Sequence, residues 1–417
     1  MLSFLNMRIG FFLAIRQVRR ASIWTTTLII FVMVLTFLNL VVVSGILVGL
    51  IQGAVNQARF EFTSDVIIST LDDKPYIENS PNLIALITSL PEVEAVSPRY
   101  SSGAVLEANY KTRKETDKRN TANAHIFGID PLREDAVTHL SSSVTEGAYL
   151  SPTDYDQVII GQFLLSQYVP VDDPNFAALN NVGVGTKIRI TVEGVVREVT
   201  VKGVIKSKVD ALTRNVFMVD SQFRSMIGRN DGNVAQIAVL LRPDVDPAQV
   251  RDKLKQSGVD TYANVQTYVD AQPQFLKDII NTFNMLGTVF SSMGLVVASI
   301  TIFIVVFINA ITRRKYIGIM KGIGIDGGAI RMSYVFQSAF YALCGSAIGL
   351  LLVYGFLIPF IDEHPIDFPF SDGILVAPAD ETLFRVGLLV LSTIIAGYIP
   401  AWMIIRKNTL DSILGRN

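Results

Sequence analysis

The sequence predicts an α-helical membrane protein with four transmembrane helices and a large α+β extracytoplasmic domain. Three observations carry this. Four long stretches hold no ionisable residue, a polar region of roughly 220 residues separates the first two, and a basic, glycine-rich segment joins the second to the third.

Composition sets the limits. Half of the 417 residues are apolar (50%), yet 18% are charged, too many for a protein made only of membrane spans. The net charge of −1 gives no electrostatic footprint for nucleic acid. The single cysteine, Cys344, lies in an apolar run, so no disulfide framework or thiolate metal site follows; it reads as a packing residue.

The uncharged stretches are 24–51, 285–311, 332–361 and 386–405. Each reaches the roughly 20 residues that cross a bilayer. One central charge would cost about 2.5–3.5 kcal/mol on insertion, and none carries one. The first is too long for a signal-peptide core and reads as a retained helix. Arg8, Arg16, Arg19 and Arg20 precede it, Arg313, Arg314, Lys315, Lys321 and Arg331 lie between the second and third, and Arg406, Lys407 and Arg416 follow the fourth. Loop 361–382 instead holds Asp362, Glu363, Asp367, Asp372, Asp380 and Glu381 without a Lys or Arg. The positive-inside rule therefore places both termini in the cytoplasm with segment 313–331, and region 55–280 outside with loop 362–382.

The elements follow in order. Residues 1–22 predict an amphipathic helix on the inner leaflet, with Phe4, Met7, Phe11, Ala14, Ile15 and Val18 on one face and Arg8, Arg16 and Arg19 on another. The first span (23–54) carries Gly45, Gly49 and Gly53 at four-residue spacing. The second (281–312) carries Gly287 with Ser291 and Gly294 with Ala298, and the third (332–361) Gly345 with Gly349. Small residues on one stripe let helices approach closely, either within the chain or between subunits. The fourth span is 383–406, and 407–417 is a tail.

In the outer region, 66–69 is a strand. Ser80 caps and Pro81 opens a helix bearing Leu83, Ile84, Ile87 and Leu90, and 94–100 is extended. Later 237–241 repeats the strand, Asp246 caps, Pro247 opens, Gly258 ends the helix and 261–265 is extended. Two strand–helix–strand units predict a split βαβ lobe formed by 55–129 and 221–280. A β-rich insertion, 130–220, lies between them. Strands at 187–192 and 198–205 flank Glu193 and Gly194, a hairpin signal. Shorter strands fall at 158–160 and 216–219, and 162–168 predicts one helix. The run KTRKETDKR at 111–119 reads as the solvated tip of a hairpin joining 104–108 to 124–128.

Segment 313–331 is unlike a polar turn. Ile317, Ile319, Met320, Ile323, Ile325 and Ile330 are too many apolar residues for an idle loop, and Gly318, Gly322, Gly324, Gly327 and Gly328 too many glycines for one helix. A short amphipathic helix near 316–323, a glycine bend and then the third span account for both.

Familiar catalytic patterns are missing. There is no Gly-Lys dipeptide, hence no P-loop, and His125, His139 and His364 show no metalloprotease spacing. The spans hold no carboxylate, Lys or His of the kind that ion-coupled transport uses.

TRRKYIGIMKGIGIDGGAIRMSYVFQSAF at 312–340 resembles the signature that follows the second span in the FtsX-like, MacB-type permeases of ABC transporters. Tyr316 stands where the family usually has Glu, and Ile325 where it has Ala. IPAWMIIRKNTLDSIL at 399–414 resembles the family's ending, with departures at Ile404 and Thr409. EGAYLSP at 146–152 and VIIGQFLLSQY at 158–168 are similar to its external domain. The resemblance implies a dimeric, multi-pass permease of the bacterial plasma (inner) membrane, built from identical or different chains, that binds no cofactor itself and takes its work from ATP and Mg on a separate ABC ATPase subunit. Tyr316, Ile317, Gly318, Met320, Lys321, Ile323, Gly324 and Ile330 then form the ATPase-coupling set, and Gly45, Gly49, Gly53, Gly287 and Ser291 the dimer or helix-packing set. Family members export peptides or drugs, extract lipoproteins or drive cell-wall hydrolases. Membrane lipid and an outer-membrane or periplasmic protein are further expected partners. The alternative of another class is a non-transporting sensor or scaffold that regulates an extracytoplasmic partner such as a cell-wall hydrolase.

Overall fold

The computed structural model describes residues 2–114, 118–169, 177–364 and 375–406. Residues 365–374 of the acidic loop, the tip of the basic hairpin and the tail 407–417 lie outside them. The chain divides into a helical unit, Met1–Ile51 with the chain from Lys277 onward, and a sheet unit, Gln52–Leu276.

Helix α1 (Leu2–Arg19) stops before Ser22, whose extended backbone starts α2 (Ile23–Leu38). A π-turn (Asn39–Val43) leads to α3 (Ser44–Ala58) and a second π-turn (Arg59–Thr63) closes the run. Four helices are long and apolar enough to cross a membrane, at Ile23–Thr63, Leu276–Thr312, Gly327–Glu363 and Ala379–Met403. The first three extend past both ends of their apolar stretches and the fourth past the start of its own, because a helix needs only its middle to be apolar.

The sheet unit begins with β1 (Val66–Ser69), α4 (Ser80–Thr88) and β2 (Val93–Ala108), then β3 (Asn120–Ile129) and α5 (Pro131–Thr138). Strands β4 (Val144–Gly147), β5 (Gln157–Gly161), β6 (Lys187–Val192) and β7 (Val195–Ile205) follow, with α6 (Asp210–Thr213), β8 (Asn215–Val219) and α7 (Asp220–Ile227). It closes with β9 (Gln236–Leu241), α8 (Pro247–Gln256) and β10 (Asn264–Thr267). The order β10-β1-β9-β2 has each strand antiparallel to its neighbour. The units β1-α4-β2 and β9-α8-β10 thus interleave as a split βαβ lobe. The sheet continues through β3, β8, β5, β7 and β4. Insertion and lobe therefore share one sheet, because the 16-residue β2 pairs with β9 at one end and with β3 and β6 at the other. One apolar core runs through both parts, from Ile68 and Val239 to Leu106, Ile190 and Val201. Between β6 and β7, Glu193 (φ 48°) and Gly194 (φ 84°) are both left-handed, the backbone of a two-residue type I′ turn.

Two local expectations are corrected. Ser80 does not cap α4. Asn79 holds the cap position, and the Ser80 hydroxyl donates to Ile77 O (2.5 Å) and accepts from Val234 N–H (3.1 Å), joining α4 to the strand side. The single helix expected at 162–168 is two 3-10 turns, Gln162–Leu164 and Ser166–Tyr168. Leu165 between them is extended and fully buried, and its neighbours bond Leu179 (Ser166 N–H to Leu179 O, 3.0 Å; Leu179 N–H to Leu164 O, 2.8 Å). Bridging to Leu179 outweighs helix propensity there.

A buried ion pair closes one side of the sheet unit. Arg99 on β2 meets Glu134 on α5 at 2.6 and 2.9 Å, with side chains 0% and 1% exposed. Ser97 and Thr138 hydroxyls also donate to the Glu134 carboxylate, and Arg99 Nη2 donates to Phe62 O at 2.7 Å. Helix α5 is not among the elements expected from the sequence, although Asp130 caps it and Pro131 opens it.

The helical unit resumes with α9 (Gln274–Thr312), α10 (Arg314–Gly322), α11 (Gly327–Leu352), a π-turn (Val353–Leu357), α12 (Ile358–Glu363) and α13 (Ala379–Ile405). Small residues set its spacing. A Cβ on Gly345 would collide with Met33, and one on Gly349 with Phe37, so α11 lies tight on α2. Against α1 the close residue is Gly10, where a Cβ would lie 2.7 Å from Met332 Cβ, while Phe11 meets Phe336 edge-on at 5.5 Å. The buried face of α1 is thus the narrow one with Gly10 and Ala14; Phe4, Met7, Phe11 and Ile15 stay exposed.

Candidate coupling site

The segment between the second and third spans is a helix capped at one end and joined without slack to the next. Helix α10 ends in a Schellman motif. Gly324 takes φ +93°, its N–H donates to Lys321 O (3.1 Å), and Ile325 N–H donates to Met320 O (3.0 Å). Met320 and Ile325, the two positions that this motif usually makes apolar, both pack on the helical core. One residue later Asp326 caps α11, accepting from Gly328 N–H at 3.1 Å and from Asn6 Nδ2. Those bonds, the backbone one first, hold its carboxyl below the usual Asp range. The glycines are thus spread over a cap and a helix start rather than one helix interior.

The predicted coupling residues separate by face. Ile317, Gly318 and Ile330 are buried in the helical unit, and Met320 and Lys321 are half-buried. Lys321 Nζ donates to Ile405 O (2.9 Å), a last-turn carbonyl of α13 that the helix itself cannot satisfy. Tyr316, Ile319 and Ile323 are exposed (68%, 44% and 74%), at i, i+3 and i+7 on one stripe, with Lys315 exposed beside them. Ile319, Asn6 and Asp326 adjoin these residues and lie outside the predicted coupling set. The i+3, i+7 spacing from Tyr316 was the signal for Ile319. For Asn6, more than 300 residues away, there was none.

The packing set is explained in part within the chain. A Cβ on Gly45 would lie 2.8 Å from Val376 O, and Val376 N–H donates to Gly45 O (3.3 Å). Gly287 faces Leu47 and Ser44 of α3. Gly49 is buried, and Gly53 and Ser291 are half-buried. The fourth helix starts before its uncharged stretch and includes Arg385, which turns onto the first span: Nη2 donates to Ser44 Oγ (2.8 Å) and Nη1 to Leu40 O (3.3 Å).

Four membrane-competent helices, a sheet domain between the first two and a capped amphipathic helix between the second and third define a permease-type membrane protein. The family comparisons agree with that class. Residues 288–409 match the FtsX-like permease C-terminal model, and residues 32–257 match the MacB-like periplasmic core domain. The chain belongs to the FtsX-like, MacB-type family of ABC transporter permeases. Among similar proteins are an uncharacterized ABC transporter permease of Methanocaldococcus jannaschii, 23% identical over 52% of this chain and 54% of that one, and the macrolide export ATP-binding/permease protein MacB of Bdellovibrio bacteriovorus, 28% identical over 33% of this chain and 22% of that one. The match thus spans about half the length of the first relative and about a fifth of the second. Among solved structures, the periplasmic region of MacB from Actinobacillus actinomycetemcomitans aligns over 54% of this chain and 95% of its own, at 14% identity and a TM-score of 0.35. The extracellular domain of the ABC-type transporter YknZ from Gram-positive bacteria aligns over 49% and 99%, at 13% identity and a TM-score of 0.31.

Proposed function

We propose that this chain is the transmembrane subunit of a MacB/FtsX-type ABC complex, in which a separate ATPase seats on α10 and its ATP-driven movements reach the sheet unit through the spans. The reading puts both termini and α10 in the cytoplasm and the sheet unit outside the plasma membrane, as the basic flanks require. ATP and Mg stay on the ATPase, and a second permease chain completes the complex. The cargo class is peptide, drug or lipoprotein; the Bdellovibrio relative is named for macrolide export.

The observation that carries the proposal is the exposed stripe Tyr316, Ile319, Ile323 on a helix whose opposite face is locked by Ile317 and by the bond from Lys321 to Ile405. A short apolar stripe on a rigid support is what a groove on a partner receives. The test purifies the full chain from its native membranes. A P-loop ATPase should accompany it, and Tyr316→Asp with Ile323→Asp should abolish both that association and any stimulation of ATP hydrolysis, with membrane insertion unchanged. Undiminished stimulation in the double variant, or recovery of a kinase or wall enzyme in place of an ATPase, would overturn the proposal.

A further inference from the structure

The first-span helix is interrupted by two π-turns, and at each an arginine from another element takes a backbone carbonyl. At Asn39–Val43 the Ser44 N–H bonds Val41 O, so the Leu40 carbonyl lacks its regular i+4 donor. Arg385 supplies one at 3.3 Å, and its other nitrogen bonds Ser44 Oγ and Glu381 (2.8 and 3.1 Å). At Arg59–Thr63 it is Arg99 that donates to Phe62 O, itself held by Glu134. The same triple of π-turn carbonyl, arginine and glutamate occurs in each unit, built from unrelated elements.

We infer that Arg385 is a positioning residue that fixes the rotational register of the first span beyond residue 43. A π-turn holds one residue more than an α-turn, so the helix past it is rotated by roughly 100° relative to an unbroken α-helix. Such turns are rare, and this one is stabilised from outside. A guanidinium within an apolar helix bundle must find acceptors, and the turn leaves the Leu40 carbonyl without its i+4 donor. Carbonyl and cation therefore stabilise each other. Remove the cation, and Ser44 N–H returns to Leu40 O while each later residue moves back one position on the wheel. The register decides what faces what: Gly45 toward Val376 and Leu47 toward Gly287 beyond the turn, Phe37 toward Gly349 before it. The role of this register in transmitting work rests on the permease reading; the register itself does not.

The experiment needs no ATPase. In full-length Cys344→Ala protein in native membranes, a short dithiol-reactive reagent reports three pairs: Phe37→Cys with Gly349→Cys, Leu47→Cys with Gly287→Cys, and Ile46→Cys with Gly287→Cys. With Arg385 present the first two cross-link and the third is weak. Adding Arg385→Met should lower the 47–287 yield about tenfold, the scale of one lost hydrogen bond to a charged group, raise the 46–287 yield, and leave 37–349 unchanged. Arg385→Lys, with one compact ammonium for three acceptors, should fall between. Unchanged yields, loss of 37–349 together with 47–287, or loss at 47–287 without gain at 46–287 would each overturn the inference. None of these outcomes depends on whether α10 seats an ATPase.

Discussion

The Arg99–Glu134 pair and the exposed stripe of α10 are opposite solutions to the same problem of placing awkward side chains. In the sheet unit two charges are fully buried and bonded to each other, to the Ser97 and Thr138 hydroxyls and to the Phe62 carbonyl, with Arg99 Nη1 left without a partner among the described residues. On α10 three large apolar side chains stay in the open, although helix ends on both sides are bonded. The first arrangement spends its chemistry on the fold. The second leaves three apolar side chains uncovered by the chain. Internal pairing therefore separates residues bonded within this molecule from residues it leaves uncovered.

Substitutions sharpen that contrast, the largest effect coming first. Glu134→Ala strands a buried guanidinium and should destabilise the sheet unit by about 3–5 kcal/mol, read as an earlier unfolding transition of the full chain in detergent. Gly349→Leu forces a side chain into the Phe37 ring and should cost about 1–3 kcal/mol in the helical unit, seen as a lower Tm. Gly324→Ala puts a Cβ in a left-handed backbone and should cost about 1–2 kcal/mol, with hydrogen exchange accelerating in α10 first. Ile323→Asp should change stability by no more than about 0.5 kcal/mol while removing ATPase association; a large stability loss there would erase the contrast.

The smallest effect is electrostatic. Lys111, then Tyr110, hold the Glu198 carboxyl down to about 2. Because the folded value lies below the unfolded one, this contribution is complete above the ordinary glutamate range and fades as pH falls toward 2. Glu198→Gln should flatten the pH dependence of hairpin protection in that window and leave neutral pH unaffected.

Legibility in the sequence followed the range of the interaction. The spans, the hairpin at Glu193 and Gly194, the capped α8 and the helix–bend–helix at 313–331 all rest on residues within a turn or two of each other, and each was readable. What escaped rests on distant partners. Leu165 is extended because Leu179 bonds its neighbours, and Ser80 gives up a cap for Val234. Arg99 sits in a strand where an arginine ordinarily reads as solvent-facing, and only Glu134 explains it. Within the coupling set, periodicity could tell that Ile317 and Ile323 lie on different faces of α10. It could not tell which face the bundle would cover.

The bond from Lys321 to Ile405 has its own consequence for how the helices come apart. A terminal turn ordinarily frays first, since its carbonyls have nothing to hold. Here an ammonium from a helix 84 residues earlier plugs that end. The last turn of α13 should therefore open only when α10 does, so that two segments far apart in the chain share a single melting event.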